Sequence, residues 1–208
     1  MDLVGWLAQC PVVAILRGVR PEEAEAIGEA MVAAGVRVLE VPLNSPEPMT
    51  SIGLLAKRFA GRALVGGGTF RRVADVEAAA DAGAALLVTP HADPALVRAA
   101  KARGMLALPG FMTPAEAFLL LDAGADGLKL FPAEAGGPPV LSALRAVLPP
   151  QTHILPVGGV DAASLPAWHE AGAAGYGCGS SIYKPGDTAE VAGRRAAALV
   201  AAAASCNR

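Results

Sequence analysis

The apolar positions fall into two alternating patterns. Short runs of three to six mostly apolar residues occur at 11–16, 36–41, 63–65, 85–88, 105–108, around Leu128–Leu130, at 153–157 and at 174–178. Between them lie longer stretches with helical spacing, opened by Pro, Asp or Thr and closed by Gly. The spacing predicts helices over 2–9, 21–34, 46–60, 72–82, 94–103, 114–123, 139–148, 161–171 and 188–204. Thr113-Pro114-Ala115-Glu116 has a cap, a Pro at the first helical position and an acid at the third. Asp161 is read the same way, as the cap of the eighth helix. The stop glycines Gly35, Gly61, Gly83, Gly104 and Gly124 recur every 20 to 26 residues, and Gly124 to Gly172 spans two such units.

Strands alternating with helices of this length predict a parallel sheet, and eight units predict a (β/α)₈ TIM barrel. The units are too short for long insertions, so residues 1–208 read as one domain led by a short N-terminal helix. An open doubly wound sheet is the alternative. Its dinucleotide-binding form is disfavoured because no GxGxxG follows the first strand.

Composition fits this architecture. Hydrophobic residues make up 53% and aromatic residues 4%, so Ala, Val, Leu and Ile must build the core, as in parallel strands covered by Ala-rich helices. A net charge of −2 with no basic block argues against a nucleic-acid surface. Cys10, Cys178 and Cys206 are far apart and odd in number, which suggests neither a disulfide framework nor a zinc site and makes a reducing cytoplasm the default. No targeting segment is recognisable, and the Ala-rich run 196–204 falls well short of the ~20 residues needed to span a bilayer.

Against this apolar background Lys129 stands out. It sits inside Gly127-Leu-Lys-Leu-Phe131, ahead of Pro132, which has no N–H to continue a ladder. Alternation sends Leu128 and Leu130 to one face and Lys129 and Phe131 to the other. The other lysines, Lys57, Lys101 and Lys184, occupy polar, helical or Pro-Gly contexts. Burial destabilises an ammonium and lowers its pKa. Moving a lysine from ~10.4 to ~7 takes about 4.6 kcal/mol at 1.36 kcal/mol per unit. The resulting amine can attack a ketone and form a Schiff base. The alternative is a snorkelling lysine with its head in water.

Chemistry in a barrel of this kind gathers at the C-terminal strand ends. Those ends carry Arg17, Glu40, Thr69, Thr89 with Pro90, Pro109 with Gly110, Lys129, Gly158 with Gly159, and Gly179 with Ser180. Alternation sets Glu40 on the face of Val36 and Val38, pointing inward opposite Lys129, where a carboxylate can act as general acid or base. Arg17 suits a substrate carboxylate, with an ion pair to Glu40 as the plainer role. Thr69, after three glycines, is either a hydrogen-bond donor to substrate or a helix cap. Gly158-Gly159 and Gly179-Ser180 stand where this fold binds phosphate, after strands seven and eight. His91 lies near the mouth, while His153 and His169 read as structural; no Asp/Glu/His cluster demands a metal.

Taken in order, Ile15-Leu-Arg-Gly18, Glu40-Val-Pro-Leu-Asn-Ser-Pro46, Val88-Thr-Pro90, Leu128-Lys-Leu-Phe-Pro-Ala133 and Val157-Gly-Gly-Val160 resemble the 2-keto-3-deoxy-6-phospho-sugar-acid aldolases over nearly the whole chain. The resemblance implies a trimeric class I aldolase barrel without metal or other cofactor, acting on a phosphorylated keto sugar acid and releasing pyruvate, with no nucleic-acid or membrane partner. It implies Lys129 as the Schiff-base lysine and Glu40 as the proton-transfer residue. Arg17, Thr69, Pro90, Phe131 and Val157 would bind substrate, and Gly158, Gly159, Gly179 and Ser180 phosphate. Val157 before the glycine pair and Leu43-Asn44-Ser45-Pro46 after the glutamate resemble the galactonate branch rather than the gluconate branch, whose substrate differs at C4. Gly136-Gly137 stands where a bulkier residue is expected.

Overall fold

The computed structural model describes residues 1–206. Among them nine α-helices and nine strands alternate, except where the fifth and sixth strands follow one another directly. The strands are β1 (Val12–Ile15), β2 (Val38–Pro42), β3 (Leu64–Gly68), β4 (Leu86–Val88), β5 (Leu106–Leu108), β6 (Gly110–Phe111), β7 (Leu128–Leu130), β8 (Ile154–Pro156) and β9 (Tyr176–Cys178). The helices are α1 (Leu3–Gln9), α2 (Pro21–Ala33), α3 (Pro48–Arg58), α4 (Val73–Asp81), α5 (Pro94–Ala102), α6 (Pro114–Asp122), α7 (Gly137–Arg145), α8 (Leu165–Glu170) and α9 (Ala189–Cys206). No helix among the described residues is long and apolar enough to cross a membrane.

All strand pairs are parallel. Six strands form a sheet in the order β5-β4-β3-β2-β1-β9, and three form a second sheet in the order β6-β7-β8. One of the two seams between the sheets has a local cause. Pro109 interrupts the fifth apolar run and lacks an N–H, so the ladder breaks into β5 and β6. The chain entering β7 still bonds to β5: the Asp126 N–H donates to the Ala107 carbonyl at 2.9 Å. The Asp126 carboxylate accepts from the Ala107 N–H at 2.8 Å and pairs with Lys101 at 2.7 Å, which fixes this register. At the other seam Val157 bridges to Gly177, and the Ala174 N–H donates to the Ile154 carbonyl at 2.9 Å.

The core has two parts, as side-chain alternation requires. Leu39, Val41, Leu128 and Leu130 face outward under the helices. Val13, Val38, Leu64, Leu86, Leu108 and Leu155 face inward and pack on Leu3, Trp6 and Leu7 of α1, which covers one end of this inner cluster. The Asp2 carboxylate caps α1 by accepting from the Gly5 N–H at 2.8 Å.

Two details of the sequence reading need correction. Val36 does not share the inward face with Val38; it precedes β2 and packs in the outer cluster. Its N–H donates to the Met31 carbonyl at 3.0 Å across Gly35 at φ 107, so Val36 closes the α2 C-terminus in a Schellman-type end. Asp161 does not cap α8. It forms a separate turn with Ser164, whose N–H donates to the Asp161 carboxylate at 2.9 Å, and the helix starts at Leu165.

Candidate active site

β2 and β7 bring the two central groups to one interior. Glu40 follows Val38 by two residues and so inherits its inward direction. Lys129 is in register with Leu155, an inner-cluster residue, and lies between the outward Leu128 and Leu130. Both charged groups are buried, Glu40 at 1% and Lys129 at 4% exposure, so the lysine head does not snorkel into solvent. The Lys129 Nζ sits 4.8 Å from the centroid of the Phe131 ring, the neighbour two positions on along the same face.

Burial sets the protonation tendencies. It pushes the Lys129 amine below the usual lysine range; the Glu40 charge opposes this and the Arg17 charge adds to it. It pushes the Glu40 carboxyl above the usual carboxylate range, against the attraction of Lys129 and Arg17. Among the described residues Glu40 Oε1 has no hydrogen-bond partner, and no ion pair joins Glu40 to Lys129 or Arg17. The pair is therefore close enough to couple through space without contact between the charged atoms.

Gly68 makes room for the carboxylate. A Cβ at that position would lie 1.7 Å from Glu40 Oε1, which no real side chain could do. Gly68, the last of the three glycines ending β3, thus keeps the wall beside Glu40 at backbone thickness.

Toward the C-terminal strand ends a cavity of about 420 Å³ opens. Arg17, Phe131, Val157, Gly158, Gly159, Gly179 and Ser180 all line it, together with Lys184. Gly158 and Gly159 take φ values of 110 and 67, a left-handed path that only glycine follows without strain. Val157 is buried and joins β8 to β9 by its bridge to Gly177.

Lys129 and Glu40 do not line this cavity themselves, although Phe131 beside Lys129 does; Thr69 and Pro90 also lie apart from it. Thr69 lines a neighbouring cleft of about 720 Å³ with Leu43, Asn44 and Arg71; it does not cap α4, whose N-cap is Arg72. Pro90 is half-buried in a turn held by Thr89, whose hydroxyl donates to the His91 carbonyl at 2.6 Å and accepts from the Gly110 N–H at 3.0 Å. The His91 side chain is exposed. Asn44 connects the two openings: it lines the Thr69 cleft while its side-chain carbonyl accepts from the Arg17 guanidinium at 2.7 Å. Ser45 supports the same corner by accepting from the Gly18 N–H at 2.9 Å. The sequence signal for both was Asn44-Ser45 directly after the strand carrying Glu40; Lys184 gave no local signal, because Pro185-Gly186 marks an ordinary loop.

Comparison with known proteins gives a consistent picture. The family described as "Aldolase: KDPG and KHG aldolase" matches residues 5–192. The chain is 42% identical to 2-dehydro-3-deoxy-6-phosphogalactonate aldolase of Escherichia coli (strain K12), over 95% of this chain and 96% of that protein. It is 35% identical to 2-dehydro-3-deoxy-phosphogluconate aldolase of Zymomonas mobilis, over 81% of this chain and 80% of that protein. A solved structure described as native KDPGal superposes with a TM-score of 0.95 at 40% identity, covering 100% of this chain and 99% of the other. With a match spanning most of its length and a buried lysine in its interior, the chain belongs to the KDPG and KHG aldolase family.

Proposed function

We propose that this protein is a class I aldolase that cleaves 2-dehydro-3-deoxy-6-phosphogalactonate to pyruvate and D-glyceraldehyde 3-phosphate. The observation that carries the reading is the buried Lys129 amine, held down in pKa, sharing one interior with the buried Glu40 carboxyl. The neutral amine attacks the C2 ketone, and loss of water leaves an iminium. Glu40, directly or through one water, takes the C4 hydroxyl proton as the C3–C4 bond breaks. The bond's electron pair moves toward the iminium and forms an enamine, while the aldehyde leaves. Protonation at C3 and attack by water then release pyruvate and restore the amine.

In this reading Phe131 supports the amine, Val157 and Pro90 shape the walls, and Arg17 and Thr69 hold the substrate's polar groups. Gly158, Gly159, Gly179 and Ser180 cradle the phosphate. The galactonate epimer is favoured by higher identity to the galactonate relative than to the gluconate relative, and by Val157 and Leu43-Asn44 at the positions where the branches differ. The two curled sheets are taken as one closed (β/α)₈ barrel in a single domain, supported by the hydrogen bonds across both seams. A homotrimer in a reducing cytoplasm completes the proposal; free Cys10, Cys178 and Cys206 fit that compartment, and the exposed Phe118 and Leu119 of α6 offer apolar surface for subunit contact.

The test is cleavage of the two C4 epimers side by side, read by pyruvate release. Faster turnover of the galactonate epimer is expected, with leakage to the other because one stereocentre offers only one or two hydrogen bonds. Equal or faster turnover of the gluconate epimer would reassign the substrate. Borohydride added with pyruvate is expected to fix a reduced adduct on Lys129; an unmodified Lys129 would overturn the imine mechanism.

A further inference from the structure

We propose that Lys184 is a phosphate-binding residue that determines preference for phosphorylated over unphosphorylated substrate; this rests on the aldolase reading of the site. Lys184 lines the same cavity as the two glycine pairs and Arg17. It arrives there by a chain path fixed at three points. After β9 the backbone makes a hydrogen-bonded turn in which the Tyr183 N–H donates to the Gly179 carbonyl at 3.0 Å. That turn is anchored inward by buried Ile182 and by Tyr183, whose hydroxyl donates to Glu23 on α2 at 2.9 Å. Ser180 and Lys184, four residues apart, are left exposed on the outer side. The Lys184 N–H then donates to the Asp187 carboxylate at 2.8 Å, and the Asp187 N–H donates back to the Lys184 carbonyl at 3.0 Å. Asp187 is itself paired with Arg195 of α9. Finally, Pro185 packs on Gly18 so closely that a Cβ on Gly18 would meet its Cγ at 2.7 Å. This contact fastens the Lys184 loop to the residue following Arg17 and brings two cations to one rim.

The local charge gives the lysine a role the glycines cannot fill. Asp161 lines the cavity, and the Glu134 carboxylate lies 2.8 Å from where a Gly159 Cβ would sit. Two carboxylates therefore border the N–H groups that would meet a phosphate dianion. Arg17 is engaged with Asn44, whereas no ion pair holds the Lys184 side chain among the described residues. The loop's order comes from the Lys184 main chain; its ammonium is free for a ligand, as a compact cation suited to phosphate.

The experiment compares the wild type with Lys184→Gln and Lys184→Arg. Inorganic phosphate is titrated calorimetrically, and kcat/KM is measured for the sugar acid with and without its phosphate. Lys184→Gln is expected to weaken phosphate binding roughly 10-fold, the scale of one charged hydrogen bond. The phosphorylated-to-unphosphorylated ratio of kcat/KM should fall by a similar factor, chiefly through KM, and Lys184→Arg should recover most of both. Unchanged phosphate affinity, or an equal loss on both substrates, would overturn the proposal. Failure of wild-type Lys129 to trap pyruvate would instead remove the aldolase reading, with the phosphate titration still deciding the binding role of Lys184.

Discussion

The interior and the rim of this site handle charge in opposite ways. Inside, Lys129 and Glu40 are almost wholly shielded from water, and burial dominates both: the amine is pushed down, the carboxyl up, each toward its neutral form. At the rim, Arg17, Lys184 and Asp161 stay exposed around a glycine-rich wall. Solvent there screens charges and weakens each interaction. The contrast assigns different work to similar residues. In the proposed function, an interior lysine gains nucleophilicity by losing its proton, while a rim lysine offers its charge to an anion. Glycine divides in the same way: Gly68 gives up its side chain so that Glu40 can sit against the wall, whereas Gly158 and Gly159 let the backbone follow a left-handed path along the cavity.

The largest effect should come from the interior amine. Lys129→Met keeps an unbranched apolar stem and removes the nucleophile, and a rate loss on the order of 10⁴-fold is expected in steady-state pyruvate release, comparable with loss of other nucleophiles. The same variant tests the charge argument through stability. Because the folded pKa of Lys129 is lowered, the unfolded chain binds more protons between that value and the usual ~10.4, so wild-type stability rises with pH across the window. Lys129→Met should lack that part of the rise in urea melts taken at a series of pH values. Parallel pH slopes in both proteins would mean that the lysine is not strained by burial.

Much of the interior was legible because local patterns decide it. A lysine flanked by Leu128 and Leu130 in a run too short for a helix has to share a strand with them and face the other way. Glu40 follows from Val38 by the same two-residue period. Where a helix end competes with a strand start, the period misleads: Val36 is apolar and two residues before Val38, yet its N–H is taken by the α2 terminus. Asp161 shows the same weakness, since one carboxylate can close a turn as well as cap a helix. The rim was legible in its glycines but not in Lys184. Its position depends on Pro185 against Gly18 and on Tyr183 against Glu23, contacts between opposite ends of the chain that no local spacing encodes.

The second test adds a single methyl group. Gly68→Ala would place a Cβ into the space of the Glu40 carboxylate, with no flexible neighbour to give way except that carboxylate. Glu40 must turn aside, and a drop in kcat of about 10²-fold is expected, the lower range for misplacing a proton-transfer group. Pyruvate trapping on Lys129 should persist, since the amine remains. Gly53→Ala, whose added Cβ would meet nothing closer than the Ala82 carbonyl at 3.4 Å and whose backbone, like that of Gly68, is not left-handed, controls for glycine loss outside the site. Equal kcat in the wild type and Gly68→Ala would show that the carboxylate need not occupy that wall.

The smallest effect expected joins the two regions. Arg17 stands at the exposed rim, yet its charge helps hold the buried Lys129 amine deprotonated. Replacing it with Met removes that repulsion, so the Lys129 pKa must rise and the neutral fraction at a given pH must fall. Reductive methylation of Lys129 by formaldehyde with cyanoborohydride as hydride donor, followed by peptide mass spectrometry, reports the free amine without using a substrate that Arg17 could bind. In Arg17→Met the pH midpoint of labelling should move upward, with a change of roughly 3-fold in rate at neutral pH, as suits a charge acting through partly solvated surroundings. Glu40→Gln should move the midpoint the other way, because the carboxylate charge raises the lysine pKa. Shifts of opposite sign would show both charges acting on one amine, with burial as the larger influence because the midpoint in each variant still lies below the ordinary lysine value. Identical midpoints in all three proteins would mean that rim and interior are electrically separate.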